Sequence, residues 1–139
     1  MKVVVPDASV LLKWVLPGPD EEDRDAALRL RDAGLRGEVI LMAPSLWLYE
    51  VGNALTRRFP EHAGALLDVL VAYEIEEGIT ERPWRQRAID LVRRYGVTFY
   101  DAAYHALALV EDGLFVTADA RYMRQVAEVG GVQMLHDYR

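Results

Sequence analysis

The first run of hydrophobic positions, Val3 to Val5 within KVVVP, is β-branched, unbroken and bounded by Pro6 and Asp7. A short apolar run with no alternation belongs to a strand buried on both faces. The following ASVLLKWVL is apolar enough for a short helix, which Pro17, Gly18 and Pro19 should stop. DEEDRDAALRLRDAG reads as a helix with acids in its first turn, where they complement the helix dipole, and Gly34 at its end. EVILMA reads as a second strand, and Ser45 is a suitable N-cap for a helix running to about Arg58.

Pro60 can open the next helix. From Glu61 to about Tyr73 the pattern is helical, with Leu66, Val69, Leu70 and Tyr73 on one face. Gly78 breaks it, leaving Ile79 and Thr80 extended. Pro83 opens a helix that closes at Gly96, and Thr98 caps another that runs to Gly113. LFVT is a third strand, Asp119 starts a last helix, and Gly130-Gly131 leads into a final strand, VQML. Strands alternating with helices predict a parallel α/β sheet with helices on both faces, a single three-layer domain over residues 1–139.

Composition narrows the chemistry. The 52% hydrophobic content supports a sizeable core, and a 27% charged fraction is ordinary for a folded chain. No cysteine is present, which excludes disulfides, thiolate metal sites and a cysteine nucleophile. Val3 to Val5 is too short for a signal-peptide core, and no apolar run approaches the roughly 18 residues of a membrane span. The expectation is a cytoplasmic protein with no membrane association.

The net charge of −6 argues globally against nucleic acid as a partner. Binding is local, however, and fourteen of the sixteen basic residues are Arg, the side chain suited to bidentate phosphate contact. Several cluster: Arg57 with Arg58, Arg82 with Arg85 and Arg87, and Arg93 with Arg94. Taken one at a time these are solvated helix faces. A concentrated patch of acids would account for the negative total.

Four carboxylates occupy comparable places in the predicted topology. Asp7 follows the first strand, Asp119 follows the LFV strand, Glu50 lies near the start of the helix after the second strand, and Asp101 sits in the first turn of its own helix. Ligands of open parallel sheets bind beyond the carboxyl ends of the strands, where the next helices begin. Asp7 and Asp119 equally suit N-caps, and Asp101 stands three residues after Thr98, a capping-box spacing. Glu50 lies too deep in its helix to cap it. At about 100° per residue, Leu48, Val51, Leu55 and Phe59 share one face and Glu50, Asn53 and Arg57 the opposite one.

Acids gathered without a cation repel one another, and their oxygen-only donor set suits Mg²⁺ or Mn²⁺ rather than zinc. A metal so held can activate water and stabilise charge on a phosphodiester, so acids with flanking Arg point to phosphoryl-transfer hydrolysis. Nucleotide-cofactor fingerprints are absent. His62, His105 and His136 show no metal-ligand spacing, and Ser9 and Ser45 lack the context of a hydrolase nucleophile. His105, four residues after Asp101 on the same helix side, reads as a helix-surface or half-buried residue, with support of the site as the alternative, and Trp14, Trp47 and Trp84 as core or interface.

Four segments in order, VVVPDASVLLKW, APSLWLYEVGNAL, YGVTFYDAAYHALAL and LFVTADARYM, resemble the PIN-domain nucleases, specifically the VapC-type toxins of prokaryotic toxin–antitoxin pairs. The resemblance implies a PIN-like α/β/α fold with a mainly parallel sheet. It implies metal-binding and catalytic roles for Asp7, Glu50, Asp101 and Asp119, and supporting hydrogen bonds from Ser9, Asn53 and Thr117. It implies metal-dependent endonucleolytic cleavage of RNA by water, leaving a 5′-phosphate. Arg57, Arg58, Arg85 and Arg94, from the basic clusters, are candidate RNA contacts. It further implies a homodimer, and a small antitoxin whose C-terminal segment covers the groove and places a basic side chain among the acids. A stand-alone PIN nuclease of RNA processing and a catalytically silent protein-binding module are the alternatives. Pro6 before the first acid, and Tyr122 where a smaller aliphatic residue or Phe is more usual, depart from the family pattern.

Overall fold

The computed structural model describes residues 1–16 and 22–139. The predicted helix stop at Pro17, Gly18 and Pro19, and the first two residues of the acidic run that follows, lie outside the described residues. A five-stranded sheet with the order β3-β2-β1-β4-β5 forms the centre, and all four strand pairings are parallel. Its strands are β1 (Lys2–Pro6), β2 (Val39–Ala43), β3 (Glu76–Glu77), β4 (Leu114–Thr117) and β5 (Val132–Met134). The helices are α1 (Ala8–Val15), α2 (Arg24–Leu35), α3 (Leu46–Arg58), α4 (Ala63–Ala72), α5 (Arg82–Tyr95), α6 (Phe99–Val110) and α7 (Ala120–Gln125), with a 3-10 turn at Leu135–Asp137.

β1 lies in the middle because both its faces are apolar: Val3, Val4 and Val5 are buried. α1 and α6 each pack on β1 and β4 without forming a layer together, so they cover opposite faces. α1 brings α2 and α3 with it, and α6 brings α5. Every residue of α6 from Ala102 to Ala108 is buried, and its four alanines in that stretch allow close approach to sheet and neighbouring helix. The tryptophans are core residues with satisfied indoles: Trp14 donates to the Ala27 carbonyl at 2.8 Å and Trp84 to that of Ala103 at 3.0 Å. Trp47 is also buried.

Pro6 fits the sheet without breaking its ladder. The Asp7 amide donates to the Val116 carbonyl at 3.1 Å, so by alternation the Pro6 nitrogen faces β2. Pairing with β2 has already ended there, at Val4 opposite Leu41. No ladder bond is lost.

Several element boundaries differ from expectation. Gly34 does not end α2; it lies inside the helix, where a Cβ would come 2.3 Å from Leu41 Cδ1, so its role is close packing of α2 on β2. Ser45 precedes α3 but its side chain makes no cap hydrogen bond, because its backbone is already helical. Trp47, not Leu48, joins Val51 and Leu55 on the inner face of α3. α4 begins at Ala63 after a turn containing Pro60, and Val69 is exposed while Leu70 is buried. The extended segment near Gly78 is Glu76–Glu77, before the glycine rather than after it. α6 stops at Val110, three residues short of Gly113. The closing of α5 at Gly96 is as expected, with the left-handed φ of 68° that glycine adopts without a Cβ penalty.

Candidate active site

From β1 the chain steps through β2 to β3 on one side, and β4 and β5 lie on the other. The boundary between β1 and β4 is therefore the topological switch point, where an open parallel sheet leaves a crevice beyond its carboxyl ends. Asp7 follows β1 and Asp119 lies two residues past β4. Asp7 caps α1, accepting the Val10 amide on Oδ1 at 3.2 Å. The same oxygen accepts the Ser9 hydroxyl, and Oδ2 accepts the Thr117 hydroxyl. Thr117 Oγ1 in turn accepts the Asp119 amide at 3.0 Å, and Asp119 Oδ1 accepts the Tyr122 amide at 3.1 Å, capping α7. Capping and site formation are thus compatible uses of the same two aspartates.

The other two acids arrive on helices. Glu50 projects from α3, and Tyr104 of α6 donates its hydroxyl to Glu50 Oε1 at 2.5 Å. Asp101 occupies the first turn of α6, whose cap is Thr98: its Oγ1 accepts the Asp101 amide at 3.1 Å. All four carboxylates line one cleft of about 190 Å³, together with Ala8, Ser9 and Tyr104. A larger cavity of about 260 Å³, lined by Met1, Arg31, Gly37 and Val39 among others, sits at the amino ends of β1 and β2 and gathers no such set of acids.

Burial and mutual repulsion raise three of the acid pKa values. Asp7 is pushed above its ordinary value chiefly by desolvation, against the lowering effect of the hydroxyls of Ser9 and Thr117 and of backbone amides. Glu50 is raised by desolvation first, opposed by the Tyr104 hydrogen bond, and then by the charges of Asp101 and Asp7. Asp101 is raised by desolvation and by Asp119. Among the described residues no Lys or Arg lines the cleft to offset these acids. Among the described residues no three His, Asp or Glu side chains form a ready-made metal cage; the four acids share a cleft instead. Their donor set is oxygen-only and under-neutralised, which fits a hard dication such as Mg²⁺ or Mn²⁺.

The remaining expected residues divide. Ser9 and Thr117 contact Asp7 directly. Asn53 is exposed on α3 and is not among the residues lining the cleft. Arg57 and Arg58 end α3, and Arg58 lies over the Phe59 ring at 5.6 Å. Arg85 donates to the Thr80 carbonyl at 2.8 Å, and Arg94 lines a separate cavity with Arg87 and Asp90. None of the four arginines lines the acidic cleft. His105 is not a surface or half-buried residue: it is fully buried, with Nδ1 2.9 Å from the Tyr122 hydroxyl and Nε2 2.8 Å from the Gly130 carbonyl oxygen. Tyr104 escaped sequence reasoning. Its one legible signal is its place three residues after Asp101, on the same side of a helix.

Comparison with known proteins agrees with this fold. Residues 4–129 match the model of the PIN domain family. The chain is 41% identical over 96 residues to Ribonuclease VapC1 of Mycobacterium tuberculosis, covering 63% of this chain and 69% of that protein. Its fold is similar to the crystal structure of PAE2754 from Pyrobaculum aerophilum, with TM-score 0.67 and 21% identity over 96% of this chain and 90% of that one. It is also similar to VapBC2 from Rickettsia felis, solved bound to a DNA fragment from their promoter, with TM-score 0.70 and 13% identity over 95% and 98% of the two chains. The parallel sheet flanked by helices, the family match over nearly the whole chain and the VapC1 identity agree: this chain belongs to the PIN-domain family and, within it, to the VapC type.

Proposed function

We propose that this protein is a divalent-metal-dependent endoribonuclease, the toxin of a toxin–antitoxin pair, and that residues 1–139 form its single nuclease domain. The observation that carries this reading is the convergence of Asp7, Glu50, Asp101 and Asp119, from four separate elements, on one cleft at the sheet's switch point. The relative named Ribonuclease VapC1 supports RNA as substrate, and the VapBC2 neighbour supports an antitoxin partner.

The four acids would hold Mg²⁺ or Mn²⁺. When bound, such an ion activates water and neutralises charge on the phosphodiester in an in-line displacement. The chain's own residues prepare the cleft for this. Ser9 and Thr117 hold both oxygens of Asp7, so the most deeply set acid is fixed before any ligand arrives. Glu50 and Asp101 line the same cleft as Asp7 and, with Asp119, would complete the set of oxygens that holds the ion. Hydrolysis forms a bond from water oxygen to phosphorus and breaks the bond to the 3′ oxygen, which takes up a proton and leaves a 5′-phosphate.

Arg57, Arg58, Arg85 and Arg94 are candidates for contact with the RNA backbone outside the cleft. A homodimer inhibited by an antitoxin, in the cytoplasm, completes the proposal. Among the described residues no helix is long and apolar enough to cross a membrane.

The test is cleavage of single-stranded and hairpin RNAs in EDTA, then with Mg²⁺ or Mn²⁺ restored. The reading expects cuts only with metal, and none from Asp101→Asn. Equal cleavage in EDTA, or by Asp101→Asn, refutes it.

A further inference from the structure

Glu50 is the acid whose hydrogen-bond partner lies on another helix. Asp7 and Asp119 are short side chains whose oxygens already accept backbone amides at helix starts. Glu50 sits mid-turn in α3, past the free amides of the helix start, and carries one more rotatable bond than an aspartate. Among the described residues, the hydrogen-bond partner of its carboxylate is not on its own helix. The hydrogen bond comes from Tyr104, fifty-four residues away on α6.

Tyr104 is built to stay in place. It is only 2% exposed, and its ring lies nearly parallel to that of Phe115 on β4, 21° between planes with centroids 6.1 Å apart. The hydroxyl emerges from this packed layer at the wall of the acidic cleft. One turn of α6 therefore supplies both Asp101 and the group that orients Glu50, because residues three apart share a helix side. A phenol has one proton to give, and it is given to Oε1. Oε2 is left as the oxygen of Glu50 free to face an ion.

We propose that Tyr104 is a positioning residue of the metal site: its hydroxyl occupies Oε1 of Glu50 and so presents Oε2 to the divalent ion. This rests on the metal-site reading above and assigns a role to a residue outside the four acids. A carboxylate left without its hydrogen-bond partner samples several rotamers, and the ion must then bear the cost of ordering it.

The test is calorimetric titration of the intact protein with Mn²⁺ alone, with no RNA, for the parent, Tyr104→Phe, Glu50→Gln and the double variant. Phe keeps the ring on Phe115 and removes only the hydroxyl. We expect Tyr104→Phe to weaken Mn²⁺ binding roughly tenfold, the lower end for loss of a hydrogen bond to a ligand. In the Glu50→Gln background the same change should alter affinity less than twofold, since its effect passes through Glu50. An unchanged affinity for Tyr104→Phe overturns the role of Tyr104 and leaves the metal site standing. Equal weakening in both backgrounds also overturns it, by assigning the hydroxyl a general structural effect. No Mn²⁺ binding by the parent overturns both readings.

Discussion

The phenolic oxygen of Tyr122 lies 2.9 Å from Nδ1 of His105, inside the core between α6 and α7. The other ring nitrogen faces the Gly130 carbonyl at 2.8 Å, and a carbonyl can only accept, so Nε2 carries the proton. Nδ1 is then the acceptor and Tyr122 the donor. This accounts for a Tyr where a smaller residue or Phe would otherwise suffice. Tyr122→Phe leaves Nδ1 buried and unpaired, and we expect a loss of about 1–3 kcal/mol in urea unfolding. A variant as stable as the parent would show that the bond contributes nothing net.

His105 also sets a pH dependence. Burial holds its pKa below the ordinary value, with repulsion from Arg87 adding to this and the Gly130 bond opposing it. The unfolded chain takes up a proton near pH 6.5 that the folded chain refuses. The contribution of neutral His105 is therefore complete above about pH 6.5 and is lost as pH falls below it. The stability advantage of the parent over His105→Gln should shrink between pH 7.5 and pH 5. Measuring the difference isolates His105 from the carboxylates. A constant difference contradicts the account.

Asp7 has the opposite sign. Its folded pKa is raised, so its proton stabilises the fold at low pH and the benefit disappears as pH climbs through that raised value. At pH 7.5 without metal the folded chain must either bury that charge or take up a proton that the unfolded chain has lost, and either is a cost. Asp7→Asn retains cap geometry and removes the charge, and we expect it to unfold at higher urea in EDTA at pH 7.5, by about 1 kcal/mol. The gain should vanish below about pH 4, where both side chains are neutral in either state. Under the proposed function, activity and stability then conflict at this position. A destabilised Asn variant at pH 7.5 would contradict this.

Asp119 separates capping from charge. Asparagine accepts the Tyr122 amide as aspartate does, whereas alanine cannot. We expect Asp119→Asn to unfold with the parent in EDTA and Asp119→Ala to lose about 1 kcal/mol. Both should lose RNA cleavage, at least a hundredfold. Activity retained in the Asn variant would leave Asp119 as a cap alone.

Much of this fold was legible in the chain. Strand KVVVP, the Thr98 cap and the Gly96 stop are each decided by residues within a turn of one another. Four acids could be singled out as candidates because each stands beside a local signal, and they line one cleft. What escaped depends on partners distant in sequence. Gly34 reads as a terminator and is in fact a contact made to Leu41 across layers. The two residues of β3 carry no apolar pattern, since both are exposed glutamates paired to β2 by backbone alone. His105 and Tyr104 look alike on paper as polar residues of an alanine-rich helix, and only the packing of α7 and α3 beside them gives each its partner. Asn53 shows the converse, a motif position that the helix leaves facing solvent outside the cleft.

The central claim is that a hard dication belongs among Asp7, Glu50, Asp101 and Asp119. Anomalous diffraction from crystals soaked in Mn²⁺ tests it most directly. The account predicts a manganese peak in the cleft, within ligand distance of oxygens from these side chains, that is absent from Asp7→Asn crystals. A cleft without manganese in crystals of protein that cleaves RNA in the same buffer would contradict it.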